Sequence, residues 1–331
     1  MKRKFVIFVV IIPLIFIYCA KPSEPSILNK IMSIDHLIPT GGYACDVSVS
    51  DSLLFIAEDQ NGFSIYNYLI HYQVCHLDTL FDTTPVPFEN IRKITAVDEK
   101  NLLFIYDRYG SPAGIKVFDI TDRANPDYIF LMGGDTGNVY QIKSYAADEE
   151  VYFCWSNGNE LHYGSFDIVW HPLPVYEFQN SISGFDTNED YFVVAAEQMG
   201  FHIVDKSSGE IKSTMDTPGE ALDVKIVDNY VVIACREAGF AIYNITDKEA
   251  PELVIEKEVG ELIYTVDVEN DYLVLSSHAG GVYLYDISKI SNPVFLDNME
   301  NDDIGYTYEA VLKNGKIFAS TRQGIYIIKF D

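Results

Sequence analysis

The chain has 331 residues, 48% hydrophobic and 14% aromatic, which is enough apolar side chain for a large core and excludes a disordered body. Its 49 acidic residues outnumber 23 basic ones, and the formal charge of −26 repels polyanions and argues against nucleic-acid binding.

In chain order, Met1-Lys2-Arg3-Lys4 is a basic segment followed by an uncharged apolar run over residues 5–18. That is the plan of a signal peptide, and the run is too short to cross a hydrocarbon core comfortably. It ends at Cys19, which resembles the acylated cysteine of a bacterial lipobox, with Tyr18 before it and Phe16 where Leu is commonest. Residues 1–18 therefore read as a signal peptide, 19–27 as a lipidated tether rich in Pro and Ser, and 28–331 as one domain. The expected location is exported and lipid-anchored in a cell envelope, at an outer membrane or the cell surface.

A repeat fills the rest. Six segments share a Gly followed by a strand-like run, among them Gly62-Phe63-Ser64-Ile65-Tyr66-Asn67, Gly239-Phe240-Ala241-Ile242-Tyr243-Asn244 and Gly281-Val282-Tyr283-Leu284-Tyr285-Asp286; the others start at Gly114, Gly200 and Gly324. Gly158 supplies a seventh anchor with a degenerate strand, and the mean spacing of about 44 residues is that of a four-stranded propeller blade. A second register agrees. Asp119-Ile120-Thr121 with Pro126, Asn244-Ile245-Thr246 with Pro251 and Asp286-Ile287-Ser288 with Pro293 repeat one turn, in which the polar side chain bonds the backbone and Pro opens an outer strand. Continuous apolar runs before each Gly, such as Tyr230-Val231-Val232-Ile233-Ala234, are strands buried on both faces. The expected fold is an all-β propeller of seven four-stranded blades. Its last unit ends after three strands, so the segment Ile31-Met32-Ser33-Ile34-Asp35-His36-Leu37 is expected to supply the fourth and close the ring.

The string of Gly, apolar pairs, Asp or Asn, Ile, Thr or Ser, then Asn-Pro or Ala-Pro resembles the LVIVD-repeat β-propellers over roughly residues 41–331, most closely in the units of Gly114, Gly239 and Gly281. The resemblance implies an envelope or secreted propeller and says little about biochemistry. The third unit, and the segment after Gly62 that lacks the Pro turn, depart from the pattern.

No nucleophile elbow, HExxH, phosphate-cradling loop or paired CxxC occurs. The residues expected to start the innermost strands, Asp46, Lys93, Gly184, Asp223, Thr265 and Glu309, face a central channel; Asp46, Asp223, Thr265 and Glu309 are the candidate ligands of its rim, and a solvated polar rim is the simpler reading. Asp186, Asn188 and Asp190, with Glu197 beyond, have the alternating oxygens of a Ca²⁺ loop, but Tyr191 stands where such a loop needs Gly, so an acidic hairpin turn is the simpler reading. His71, Cys75 and His76 have metal-ligand side chains without a second half at zinc spacing. Cys45, Cys75, Cys154 and Cys235 permit two disulfides, although small packed residues are the simpler reading of Cys154 and Cys235. Tyr109, Trp155, Trp170 and Tyr306 are candidate loop aromatics for binding a partner.

These features favour a non-catalytic scaffold that binds a protein or polysaccharide and carries no cofactor. The competing expectation is a Ca²⁺-dependent hydrolase or lactonase with Asp46, Asp223 and Glu309 as channel ligands, for which Lys93 is a poor neighbour. A quinone-cofactor dehydrogenase is a third possibility, disfavoured because the chain has only two Trp.

Overall fold

The structure, a computed structural model, describes residues 30–80, 85–132, 137–147, 149–166 and 169–331. The expected signal peptide and tether, with Cys19, lie outside the described residues. Seven four-strand antiparallel units surround a central channel. Blade 1 comprises Asp46–Val49, Leu53–Ala57, Phe63–Asn67 and Tyr72–Leu77; blade 2 comprises Ile91–Val97, Leu102–Asp107, Gly114–Asp119 and Asp127–Met132. Blade 3 has Val139–Ala147, Glu150–Asn157 and Glu160–Phe166, with an outer strand split into Trp170–Pro172 and Tyr176–Glu177. Blades 4 to 6 start at Gly184–Thr187, Asp223–Val227 and Thr265–Glu269 and follow the same order. Blade 7 contains Thr307–Lys313, Lys316–Thr321 and Gly324–Phe330, and its outer strand is Met32–Pro39 from the other end of the chain.

The closure expected from the sequence is therefore present, with Met32 opposite Phe330 and Pro39 opposite Gly324. Closing a ring this way hides the two strand edges that an open propeller would expose. Asp297, fully buried in blade 6, fixes the entry by accepting the amides of Ile31 and Met32 at 2.7 Å each.

Local chemistry explains the blades. The anchor glycines occupy positive φ, 78° at Gly239, and a Cβ there would lie 2.2 Å from the carbonyl oxygen of Lys257 on the outer strand. Only Gly permits that conformation and approach at once. Asp119, Asn244 and Asp286 accept the amides of Thr121, Thr246 and Ser288 at 2.7–2.8 Å, and Pro126, Pro251 and Pro293 each immediately precede an outer strand.

The third unit is more regular than its sequence suggests. Its second and third strands turn through the two-residue hairpin Gly158-Asn159, where blade 5 uses residues 235–239, and Pro172 and Pro174 accompany the break in its outer strand. The long first interval is taken up by an added two-stranded excursion, Thr79–Leu80 with Val86–Pro87.

Seven apolar clusters of buried residues occupy the seven blade interfaces. Aromatic pairs cross them, including Phe63 with Phe118 at 5.3 Å, Phe104 with Phe153 at 4.4 Å, Tyr163 with Phe192 at 5.3 Å and Phe240 with Tyr285 at 5.2 Å. Each buried aromatic removes a large apolar surface from water, about 1.5–3 kcal/mol per side chain, which accounts for most of the Phe and Tyr content.

Two faces result. The upper face carries the loops entering the innermost strands and those joining second to third strands; the lower face carries the remaining hairpins. Because Met32 lies at the Phe330 end of its partner strand, residue 30 leaves the domain from the lower face.

Candidate functional site

The channel is lined by the innermost strands, whose alternation presents residues two apart. The first layer is Asp46, Lys93, Gln141, Gly184, Asp223, Thr265 and Glu309, paired respectively with Ala57, Tyr106, Ser156, Ala195, Ala234, Ser276 and Ser320. Gln141 is the blade 3 member that the sequence left open. Asp46, Asp223 and Glu309 line one cavity of ≈ 310 Å³. Thr265 does not; its hydroxyl is hydrogen-bonded with that of Ser276. Two residues further along lies a second layer missed at the sequence level, including Lys143, Asp186, Lys225 and Asp267.

These side chains tie the ring together. Asp46 accepts the amide of Ile94 at 2.8 Å, Asp186 that of Ile226 at 2.8 Å, Asp223 that of Val266 at 3.1 Å and Asp267 that of Leu312 at 2.8 Å, each in the next blade. Their other oxygens meet cations or amides: Lys143 reaches Asp186 at 2.8 Å, Lys225 reaches Asp267 at 2.7 Å, and Gln141 reaches Asp223 at 3.3 Å. Lys93 lies 3.8 Å from both Asp46 and Glu309.

The electrostatics follow from burial and these partners. Burial opposes the charge on Lys93, but Asp46 and Glu309 overcome it and hold the ammonium above its usual value. Asp267 raises Lys225 in the same way. Burial acts on Asp186 too, yet Lys143 and Lys225 prevail and its carboxyl falls below the ordinary range. Glu309 goes the other way: burial first, then the Asp46 charge, push it well above the usual glutamate value, and Lys93 offsets this only in part. Its Oε2 is shielded from water and has no hydrogen-bond partner.

A second constellation lies on the upper face. Tyr264 stacks on His278 with centroids 3.5 Å apart, His278 on Tyr306 at 4.9 Å, and Tyr306 meets Tyr308 at 5.1 Å edge-on. Tyr43 approaches Tyr308 at 6.4 Å, and the Arg322 guanidinium lies 4.2 Å over Tyr306 and 5.7 Å over Tyr43. Burial, helped by Arg322, depresses His278 to about 4, so it is a neutral ring at pH 7. Loops of blades 1, 6 and 7 build this strip, and a neighbouring cavity of ≈ 310 Å³ shares Tyr308 with it.

The other sequence candidates fall apart in space. Asp186 faces the channel, whereas the Asn188 side chain accepts the amides of Asp190 and Tyr191 at 3.0 Å each in a hairpin turn, so the three do not converge. His76 bonds Ser64 at 3.0 Å, while His71 packs on His36 at 4.2 Å. Among the described residues no group of three or more His, Cys, Asp or Glu is arranged to hold a metal ion. Cys45, Cys75, Cys154 and Cys235 are buried free thiols, raised by burial to about 11 for the first two and about 12 for the last two. Of the expected loop aromatics, Tyr109 is exposed and Tyr306 belongs to the upper strip. Trp155 and Trp170 are corrections. Trp155 is a buried strand residue stacked on His162 at 4.6 Å, and Trp170 opens the split outer strand and packs against Trp155 at 5.8 Å.

The LVIVD repeat model matches residues 41–66 and 218–256, which span the first three strands of blade 1 and nearly all of blade 5; these segments are LVIVD repeats. No curated protein matches the sequence. Among solved structures, U3-55K is similar with a TM-score of 0.74 at 11% identity, covering 90% of this chain and 98% of that one. The RRP9 WD40 repeats give 0.70 at 11% identity, covering 91% and 97%, and the computationally designed Ika8 protein gives 0.62 at 12%, covering 89% and 98%. At these identities the likeness is one of fold.

Proposed function

We propose that this LVIVD-repeat propeller is a non-catalytic binding protein of the cell envelope, held by a lipid on Cys19 and using its upper face to bind a polysaccharide or protein. The observation that carries the reading is the strip of Tyr43, Tyr264, His278, Tyr306, Tyr308 and Arg322, exposed at Tyr43 and Arg322 and half-buried between them. Tyr and Arg are the side chains that concentrate binding energy in recognition surfaces, and stacked rings offer rigid contact area. The channel supports the same reading, because Asp46, Asp186, Asp223 and Asp267 are engaged by amides of neighbouring blades and by lysines or Gln141. A tether leaving the lower face would turn the strip away from the membrane.

The test is one series on the full-length chain. The parent sediments with membranes, Cys19→Ser releases it, and envelope polysaccharide or protein binds the anchored parent. Joint Tyr306→Ser and Arg322→Ser abolishes that binding, whereas Ile70→Ser on the lower face leaves it unchanged. Turnover of ester or lactone substrates that depends on added Ca²⁺ and on Asp46 would overturn the proposal.

A further inference from the structure

The cavity beside the strip has a charge pattern unlike the rest of the chain. Arg92, Lys93 and Arg108 line it with Tyr106, Tyr140 and Tyr308, and among the described residues no carboxylate lines it. Two guanidinium groups thus gather in one pocket of a chain with a formal charge of −26, beside Lys93, whose ammonium already lies 3.8 Å from Asp46 and Glu309. The guanidinium of Arg92 has the sulfur of Cys45 as its partner at 3.3 Å, a weak acceptor. Arg108 lies 5.0 Å over Tyr109, and its Nε is shielded from water without a hydrogen-bond partner. Arg123 and Arg236, by contrast, are paired with Asp98 and Glu220.

We infer that this cavity takes the carboxylate of a uronate unit in an acidic polysaccharide, an assignment that rests on the upper face being the binding face. Val139 is the one aliphatic residue among the described residues of the lining, so the occupant is polar. The volume of ≈ 310 Å³ is at the small end of ligand pockets, about 300–1,000 Å³, which suits a sugar ring better than a folded segment. Tyr308 belongs to both cavity and strip, so a chain leaving the cavity runs over Tyr306, His278 and Tyr264 beneath the cation of Arg322. Successive rings match the repeated flat faces of a saccharide. An apolar peptide anchor would find no aliphatic pocket here.

Titration calorimetry of the full-length chain tests this with tri-galacturonate, with its fully methyl-esterified form and with an acidic peptide. Tri-galacturonate is expected to bind, and esterification, which keeps the sugar and removes its charge, to weaken binding about tenfold or more. Arg92→Gln and Arg108→Gln each give a comparable loss with an unchanged melting temperature, whereas Arg236→Gln, whose guanidinium is engaged by Glu220, gives none. Equal binding of the ester, lost with Tyr306→Ser, would overturn the anion assignment and leave the upper-face reading standing. Binding of the peptide in place of either saccharide would overturn the uronate assignment. Failure of all three probes would overturn it as well, and partner binding lost in the Tyr306→Ser and Arg322→Ser variant would then decide the upper-face reading separately. The ester comparison needs no variant, so misfolding of a substituted chain cannot mask the result.

Discussion

Glu309 is a buried channel carboxyl raised well above the usual glutamate value by burial and by the Asp46 charge. Its raised carboxyl keeps a proton to a higher pH in the folded protein than in the unfolded chain. Between the ordinary value of 4.5 and the raised one, the native state binds more protons, so stability falls as pH rises through that window and stays lowered above it. Glu309→Gln removes the penalty while Lys93 keeps Asp46 as its partner. The variant should unfold at higher denaturant concentration than the parent at pH 8, by about 1–3 kcal/mol, and match it near pH 4. A variant less stable than the parent at pH 8 would contradict this account of the site. Asp46, Asp223 and Glu309 could be located from sequence because counting back from each anchor Gly reaches the start of an innermost strand. Gln141 could not, since the tight Gly158-Asn159 hairpin shifts that count in blade 3. Lys143, Asp186, Lys225 and Asp267 were within reach of strand alternation alone. Asp186 was instead read within its acidic hairpin, where its neighbours in sequence, not in space, suggested calcium.

Strand-level features were the most legible because each leaves a local mark: Gly at a positive φ, an Asp or Asn that caps a turn, Pro at an outer strand. The closing strand has no such mark, and it was legible only because the last unit ends one strand short. Its attachment depends on Asp297, which no local pattern singles out. Asp297→Ala would leave the amides of Ile31 and Met32 without their acceptor in a buried setting, and should cost about 2–4 kcal/mol in denaturant unfolding. Limited proteolysis should then cut first between the closing strand and blade 1. An unchanged midpoint with no early cut would show that backbone pairing of Met32–Pro39 suffices by itself. The loop aromatics mark the limit of local reading. Trp155 is expected as a loop aromatic, yet it is a buried strand residue whose ring stacks on His162.

At the scale of the whole molecule, a ring brings together loops that are far apart in sequence. Tyr43 and Arg322 are separated by most of the chain and meet over one strip, and Arg92, Arg108 and Tyr308 meet in one cavity. No spacing rule could have predicted either grouping, because both depend on blade count and closure. The strong negative charge of the chain repels an anionic partner at long range, so the local charges of Arg92 and Arg108 must outweigh it at contact, where salt screens the rest of the molecule. The most direct measurement is hydrogen exchange of the full-length chain with and without acidic envelope polysaccharide. Protection should appear in peptides covering residues 40–45, 88–93, 106–113, 137–142, 262–266, 276–280 and 304–323, and the lower-face hairpins should exchange as in the free protein. Protection confined to the lower-face hairpins, or to the channel-lining strands with the upper loops unchanged, would contradict the account.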